Sequence, residues 1–108
     1  MARFNFQRID KDSKTYINLF NEYDRPNTIV IQSADIFDSN GEELYEHDLI
    51  AYSYAGEEIV FELYYCTGLC RFEVEVVNEN KEIEFGDFLL NYLPFSKKIG
   101  NSLVENNI

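Results

Sequence analysis

The sequence lacks tryptophan and has only one methionine, one histidine, two cysteines and two prolines among its 108 residues. Because a zinc site takes four ligands, two cysteines and one histidine do not complete one, and we predict no metal ion and no cofactor. No apolar run approaches the ~20 residues of a membrane-spanning helix, and no basic leader with an apolar segment opens the chain. We therefore expect a cytoplasmic protein without membrane contact, in which the cysteines are reduced.

Basic side chains are also scarce, with 9 Lys and Arg against 20 Asp and Glu and a formal net charge of −11. Between Pro26 and Cys70 there is no Lys or Arg at all. Since proteins bind phosphate backbones through Lys and Arg, this composition argues against direct nucleic-acid binding. The acidic stretch is explained either by solubility alone or by a surface that meets a basic protein partner.

Two-residue alternation of apolar side chains dominates the chain and predicts strands. The clearest alternation occupies two segments, residues 58–65 and 70–77. A four-residue loop between them would pair Tyr65 with Cys70 and Phe61 with Val74, which brings both apolar sets to one face. In that arrangement Cys70 is a small core residue and Cys66 lies in the loop.

Other strands are predicted from shorter patterns of the same kind. They are residues 3–7 and 16–20 around a turn at 10–13, then 28–32, 48–54, and 97–103 with a bulge at Gly100. Residues 87–93 fit either a buried strand or a short helix capped by Asp87, and i,i+4 apolar pairs favour the helix. We predict a mainly β protein, a single domain over residues 1–108, forming a small β-barrel or sandwich with one short helix if residues 87–93 are helical.

The strongest turn signal is Asp38-Ser39-Asn40-Gly41, because Asn-Gly readily supplies the positive φ of a tight turn. We expect Gly41 to turn the chain and Leu44 with Tyr45 to enter the edge of the core. Asp48 is then placed to hydrogen-bond a neighbouring turn.

Three segments in this order resemble the YopX-like family of phage and prophage proteins. Residues 4–14 (FNFQRIDKDSK) are similar to its opening, and residues 38–50 (DSNGEELYEHDLI) resemble its D-x-N-G-x-x-[IL]-Y-E-G-D-[IL]-[IV] stretch. Residues 99–106 (IGNSLVEN) are similar to its closing I-G-N-[IL]-x-E-N, and His47 stands where that family has glycine. The resemblance implies a small, largely β phage protein and brings no catalytic residues.

No catalytic residue is predicted, because the lone His47 lies between two acids with no nucleophile motif beside it. We expect a non-enzymatic protein that binds a basic partner, with inhibition of a host nucleic-acid-handling defence protein as the most specific hypothesis. The alternative is a homo-oligomeric assembly module of phage origin. The predicted partner-binding residues are Asp38, Glu42, Glu43, Glu46, Asp48, Glu57, Glu58, Glu62, Tyr45, Tyr52 and Tyr54.

Overall fold

The structure, a computed structural model, describes residues 6–17 and 28–104. They form two four-stranded sheets, ordered β2-β1-β3-β4 and β7-β6-β5-β8, in which every pair of neighbouring strands is antiparallel. The prediction of a mainly β fold with one short helical segment is confirmed. The strands are β1 Phe6–Asp10, β2 Thr15–Ile17, β3 Thr28–Phe37, β4 Glu43–Tyr45, β5 Asp48–Tyr54, β6 Glu57–Cys66, β7 Arg71–Val76 and β8 Ser96–Asn101.

The first sheet contains the predicted opening hairpin, with Asp10 paired to Thr15 across its turn. The predicted strand residues 3–5 and 18–20 lie outside the described residues. β3 continues five residues beyond the predicted end, because its second half pairs with the short strand β4, with a register shift between Ser33 and Phe37. Three-residue β4 was not predicted, since it is too short to show alternation.

The second sheet supplies most of the core. Inward side chains of β5 and β6 are fully or nearly fully buried, as are Phe88 and Leu93 from the helical segment that packs on them. The Phe61 and Phe88 rings meet edge to face, with centroids 4.8 Å apart. At about 1.5–3 kcal/mol for each large apolar side chain, this cluster is a main source of stability. Its buried strand members are Leu44, Ile50, Tyr52, Ile59, Phe61, Leu63 and Val74.

The β6–β7 hairpin exists, but its predicted register was wrong by two residues. Tyr65 faces Phe72 and Phe61 faces Val76, because β6 continues to the end of its alternation and the turn occupies residues 67–70. A shift of two residues leaves each side chain on its predicted face, so the core composition is unaffected. Both cysteine predictions were wrong: Cys70 lies exposed in the turn with φ 54°, and not in the core, and Cys66 is the last residue of β6, and not a loop residue.

The helical segment, residues 85–95, begins with α1 (Phe85–Asp87), continues as a π-helical turn (Phe88–Tyr92) and ends as a 3-10 turn (Leu93–Phe95). The preferred helix is therefore confirmed. The proposed N-cap was wrong, because the helix begins two residues before Asp87, at Phe85. The Asp87 carboxylate accepts a hydrogen bond from Asn91 instead.

Candidate protein-binding surface

Four of the predicted partner-binding residues are buried and are not accessible to a partner. Tyr45 and Tyr52 point into the two core clusters, with 8% and 7% of their surfaces exposed. Asp38 and Asp48 are 7% and 0% exposed. The sequence pattern that placed these carboxylates on a surface was misleading, because each is surrounded by hydrogen-bond donors of the protein itself.

Asp38 holds its own loop against β8. Its carboxylate accepts hydrogen bonds from the backbone N–H groups of Asn40 (2.8 Å), Glu42 (2.9 Å) and Lys98 (2.8 Å). Burial alone would raise the pKa of Asp38, but these N–H groups stabilise the carboxylate more strongly and hold the pKa below its ordinary value. Asp38 is therefore an anchor of the turn that Gly41, with φ 81°, completes.

Asp48 is the centre of a buried polar cluster. Its carboxylate accepts from the Tyr45 N–H at 2.6 Å and from Asn101 Nδ2 at 2.9 Å, and Lys98 Nζ lies 3.2 Å away. Burial raises the pKa of Asp48, and the three partners offset only part of that effect. The prediction that Asp48 hydrogen-bonds to a neighbouring turn is confirmed, since its carboxylate accepts from the Tyr45 N–H immediately before the turn at residues 46–47.

The remaining predicted acids do not form one continuous face. Glu43 accepts from the Ser33 hydroxyl, and Glu46 accepts from the Gln32 N–H at 2.8 Å, so both serve the first sheet. Glu57 pairs with Lys81 at 3.2 Å.

Two other predicted residues lie apart from these acids. Exposed Glu42 lines a separate hollow of about 380 Å³ beside Lys98. Tyr54 is exposed, and its ring contacts that of Phe95 in a tilted arrangement, with ring centroids 4.7 Å apart.

Glu58 and Glu62 do share a surface with acids that the prediction omitted. They project from the outer face of β6, where Glu62 lies opposite Glu75 and Tyr64 lies opposite Glu73 of β7. We call this surface the acidic face, and its members are Glu58, Glu62, Tyr64, Glu73 and Glu75. Burial, followed by the charge of Glu73, raises the pKa of Tyr64. The alternation predicted for the two strands of the hairpin already placed Glu73 and Glu75 on the same face as Glu58 and Glu62. The sequence therefore contained enough information to include these two acids in the predicted surface.

The acidic face continues into a groove along the outer edge of β7. The groove, of about 910 Å³, lies between β7 and residues 79–86, and we call it the edge groove. Its apolar lining comes from Val74, Val76, Ile83 and Phe85, which also pack on the main core. Its carboxylates are Glu73, Glu75, Glu79, Glu82 and Glu84.

Negative charge is in surplus in this groove. Of the described residues, two with cationic side chains line it: Arg71 is bound to Glu73 at 3.0 Å, and Lys81 to Glu57. Within residues 6–17 and 28–104, no salt bridge neutralises the other four groove carboxylates, and all four residues are exposed. Such a surface attracts cations and basic side chains.

His47 and Ser102 contact the same carboxylate oxygen of Glu62. His47 Nδ1 lies 3.2 Å from Glu62 Oε2, and the Ser102 hydroxyl donates to that same oxygen at 3.0 Å. Among the described residues, no hydrogen bond joins the imidazole to the hydroxyl, and no group of three or more His, Cys, Asp or Glu side chains could hold a metal ion. The contacts fix Glu62 at one margin of the acidic face.

The chain matches no protein-family model and no curated protein. No helix in the described part of the chain is long and apolar enough to cross a membrane.

Proposed function

We propose that this protein is a non-enzymatic binding protein of YopX-like phage or prophage type, which binds a basic protein surface in the host cytoplasm. The most specific form of the proposal is inhibition of a nucleic-acid-handling defence protein. The observation that carries it is the unneutralised carboxylate surplus on the acidic face and in the edge groove.

The chemistry of carboxylates supports this inhibitory role. Arg and Lys bind carboxylates and phosphates with the same charge-assisted hydrogen bonds. A row of carboxylates on a rigid sheet therefore competes with nucleic acid for one basic channel. Because Glu62 and Glu75 face each other across strands, the arrangement costs stability in the free protein. A basic partner would relieve that repulsion.

The backbone around His47 supports the YopX-like part of the proposal. His47 has φ 69°, a left-handed conformation that glycine adopts at little cost, and the family pattern has glycine at this position. Asp38, Gly41 and Asp48 of the same motif anchor or turn the chain. The motif thus has a structural role, and partner binding is left to the acidic face.

The test is capture of host proteins on the tagged protein, followed by displacement. We expect a basic nucleic-acid-binding protein to be retained at about 0.1 M salt and released at about 0.5 M. An oligonucleotide substrate of that protein should displace it. The charge-reducing variant Glu58→Gln/Glu75→Gln should lose it, whereas Asp35→Asn/Glu42→Gln, which removes two exposed acids elsewhere, should retain it. Equal retention by both variants, or no displacement, would contradict the proposal.

Exposed apolar side chains near the helical segment favour a second candidate, a homo-oligomeric assembly module. Leu90 is 77% exposed, and the Tyr54–Phe95 ring pair is 53% and 49% exposed. Light scattering distinguishes the two candidates. A multimer that tightens with salt and dissociates in Leu90→Ser supports assembly, because salt screens like-charge repulsion between copies. A monomer at micromolar concentration contradicts it.

A further inference from the structure

The outer edge of β7 presents unused backbone hydrogen-bonding groups. The Val77 N–H donates to the Val60 carbonyl at 2.9 Å, so the backbone N–H of Val77 points towards β6. In an antiparallel ladder, alternate residues bond the same neighbour, so the backbone groups of Val74 and Val76 point away from β6. Within the described residues, no hydrogen bond reaches those outward groups. Phe72, two residues before Val74, points its backbone groups the same way, so β7 offers three donors and three acceptors to an additional strand.

The opposite edge of the same sheet is covered. There, the Ser39 N–H donates to the Ser96 carbonyl at 2.9 Å, and the Lys98 N–H donates to Asp38 Oδ2 at 2.8 Å. Proteins usually protect sheet edges in this way, because an open edge pairs with other chains. The contrast singles out β7 as the edge of this sheet that is available for pairing.

The edge groove has room beside β7 for an extended chain. Residues 79–86 border it with an alternating pattern in which Ile83 and Phe85 are half-buried against the core, while Glu82 and Glu84 are exposed. The groove volume of about 910 Å³ is in the upper part of the range of ligand pockets, about 300–1,000 Å³. An occupant would meet apolar side chains at its base and carboxylates at its margins.

Charge decides which extended chain fits. The groove holds five carboxylates and two cationic side chains, both of which are already paired. A second copy of this chain, with a net charge of −11, would be repelled. A segment that carries Lys or Arg would be attracted, so charge complementarity selects a basic occupant over self-association.

We propose that the edge groove binds an extended peptide segment in which Lys or Arg alternates with Val or Ile, and that this segment pairs with β7 as an added strand. Because side chains of a strand alternate between faces, its basic residues would lie beside Glu73 and Glu75 and its apolar residues beside Val74 and Val76. This inference rests on the proposed function and specifies its partner: the basic protein contributes an exposed strand or tail.

The test uses a fluorescein-labelled peptide of alternating Lys and Val, with binding measured by fluorescence anisotropy. Two further peptides have the same sequence: one carries a backbone N-methyl group on every Val, and the other carries one on every Lys. N-methylation removes amide donors and leaves the charge unchanged. Only alternate amides of an added strand face β7. One of the two methylated peptides should therefore bind at least about tenfold more weakly than the unmethylated parent peptide, and the other should bind as the parent does. Loss with methyl-Val indicates antiparallel pairing with Val74 and Val76, and loss with methyl-Lys indicates parallel pairing.

Protein variants separate this inference from the proposed function. The protein variant Glu75→Gln/Glu84→Gln should bind the parent peptide more weakly than wild type does, whereas Asp35→Asn/Glu42→Gln should bind it as wild type does. Equal binding of both methylated peptides would overturn strand addition while leaving the acidic surface as the binding surface. No binding of the parent peptide at about 0.05 M salt would also overturn the inference, and the capture experiment would then judge the proposed function by itself.

Discussion

The backbone N–H of Lys98 donates a 2.8 Å hydrogen bond to the carboxylate of Asp38, which lies 60 residues earlier in the chain. The same carboxylate binds two N–H groups of its own loop. This contact closes the β8 edge of the second sheet, while the β7 edge stays open. The difference between the two edges makes β7 the candidate site for a partner strand.

Removal of the Asp38 carboxylate should destabilise the fold. Asp38→Ala leaves three backbone donors without their acceptor, and a hydrogen bond to a charged group contributes about 1.5–3 kcal/mol of net stability. We expect a loss of about 2–4 kcal/mol in the free energy of unfolding, measured by urea denaturation. Asp38→Asn retains one acceptor oxygen and should lose less. Equal losses for both variants would contradict the role of these hydrogen bonds.

The Asp38 contribution should depend on pH. The unfolded carboxyl has a pKa of about 3.9, and the folded pKa lies below its ordinary value. The stabilisation is therefore complete above the unfolded pKa and is lost as pH falls through the folded pKa. The stability difference between wild type and Asp38→Asn should shrink from pH 6 towards pH 3, as measured by urea titrations. A constant difference would show that the carboxylate charge is unimportant.

The buried Asp48–Lys98 pair should be more costly to break than to remove. Lys98→Met leaves the Asp48 carboxylate without its cation, and we expect a loss of about 2–4 kcal/mol. The double variant Asp48→Asn/Lys98→Met should be less destabilised than the sum of the single variants by about 1–3 kcal/mol. Because the protonated Asp48 carboxyl needs no cation, the free energy of unfolding that Lys98→Met loses relative to wild type should become smaller towards pH 4. Additive losses in the double-mutant cycle would contradict the coupling.

The two-residue turn between β5 and β6 offers a stabilising substitution. Ala55 and Gly56 have φ 52° and 83°, the signs of a type I′ turn, in which Asn-Gly is strongly preferred. Ala55→Asn should raise the free energy of unfolding by about 0.5–1 kcal/mol, because Asn tolerates the left-handed conformation. This gain in stability is measured by thermal unfolding. The same change at Ser53, outside the turn, should bring no gain.

Charge repulsion across β6 and β7 predicts a conflict between stability and binding. Glu75→Lys places a cation opposite Glu62, which should add about 0.2–1 kcal/mol at low salt and less at about 1 M salt. The same variant should bind the Lys/Val peptide more weakly. Glu79→Lys, at an exposed position outside β7, is the control for net charge, and an equal gain there would exclude the cross-strand explanation.

The sequence by itself determined the strand-rich architecture and most of the core. Alternation assigned Phe61 and Leu63 to the buried face, and a register error of two residues left that assignment intact because strand faces repeat every two residues. The spacing of apolar residues in 87–93 likewise indicated the helix. These features are local, since they depend only on neighbours within a few positions of the chain.

Only the tertiary structure decided which acids are available to a partner. Asp38 and Asp48 resemble surface carboxylates in the sequence, yet both are buried because Lys98, at least 50 residues away along the chain, supplies a backbone N–H to one and an ammonium group to the other. The exact hairpin register, which places Glu75 opposite Glu62, and the open edge of β7 also depend on contacts between distant segments. A charged side chain can be buried only where the tertiary fold brings hydrogen-bond donors or an opposite charge next to it, and the local sequence does not specify those partners.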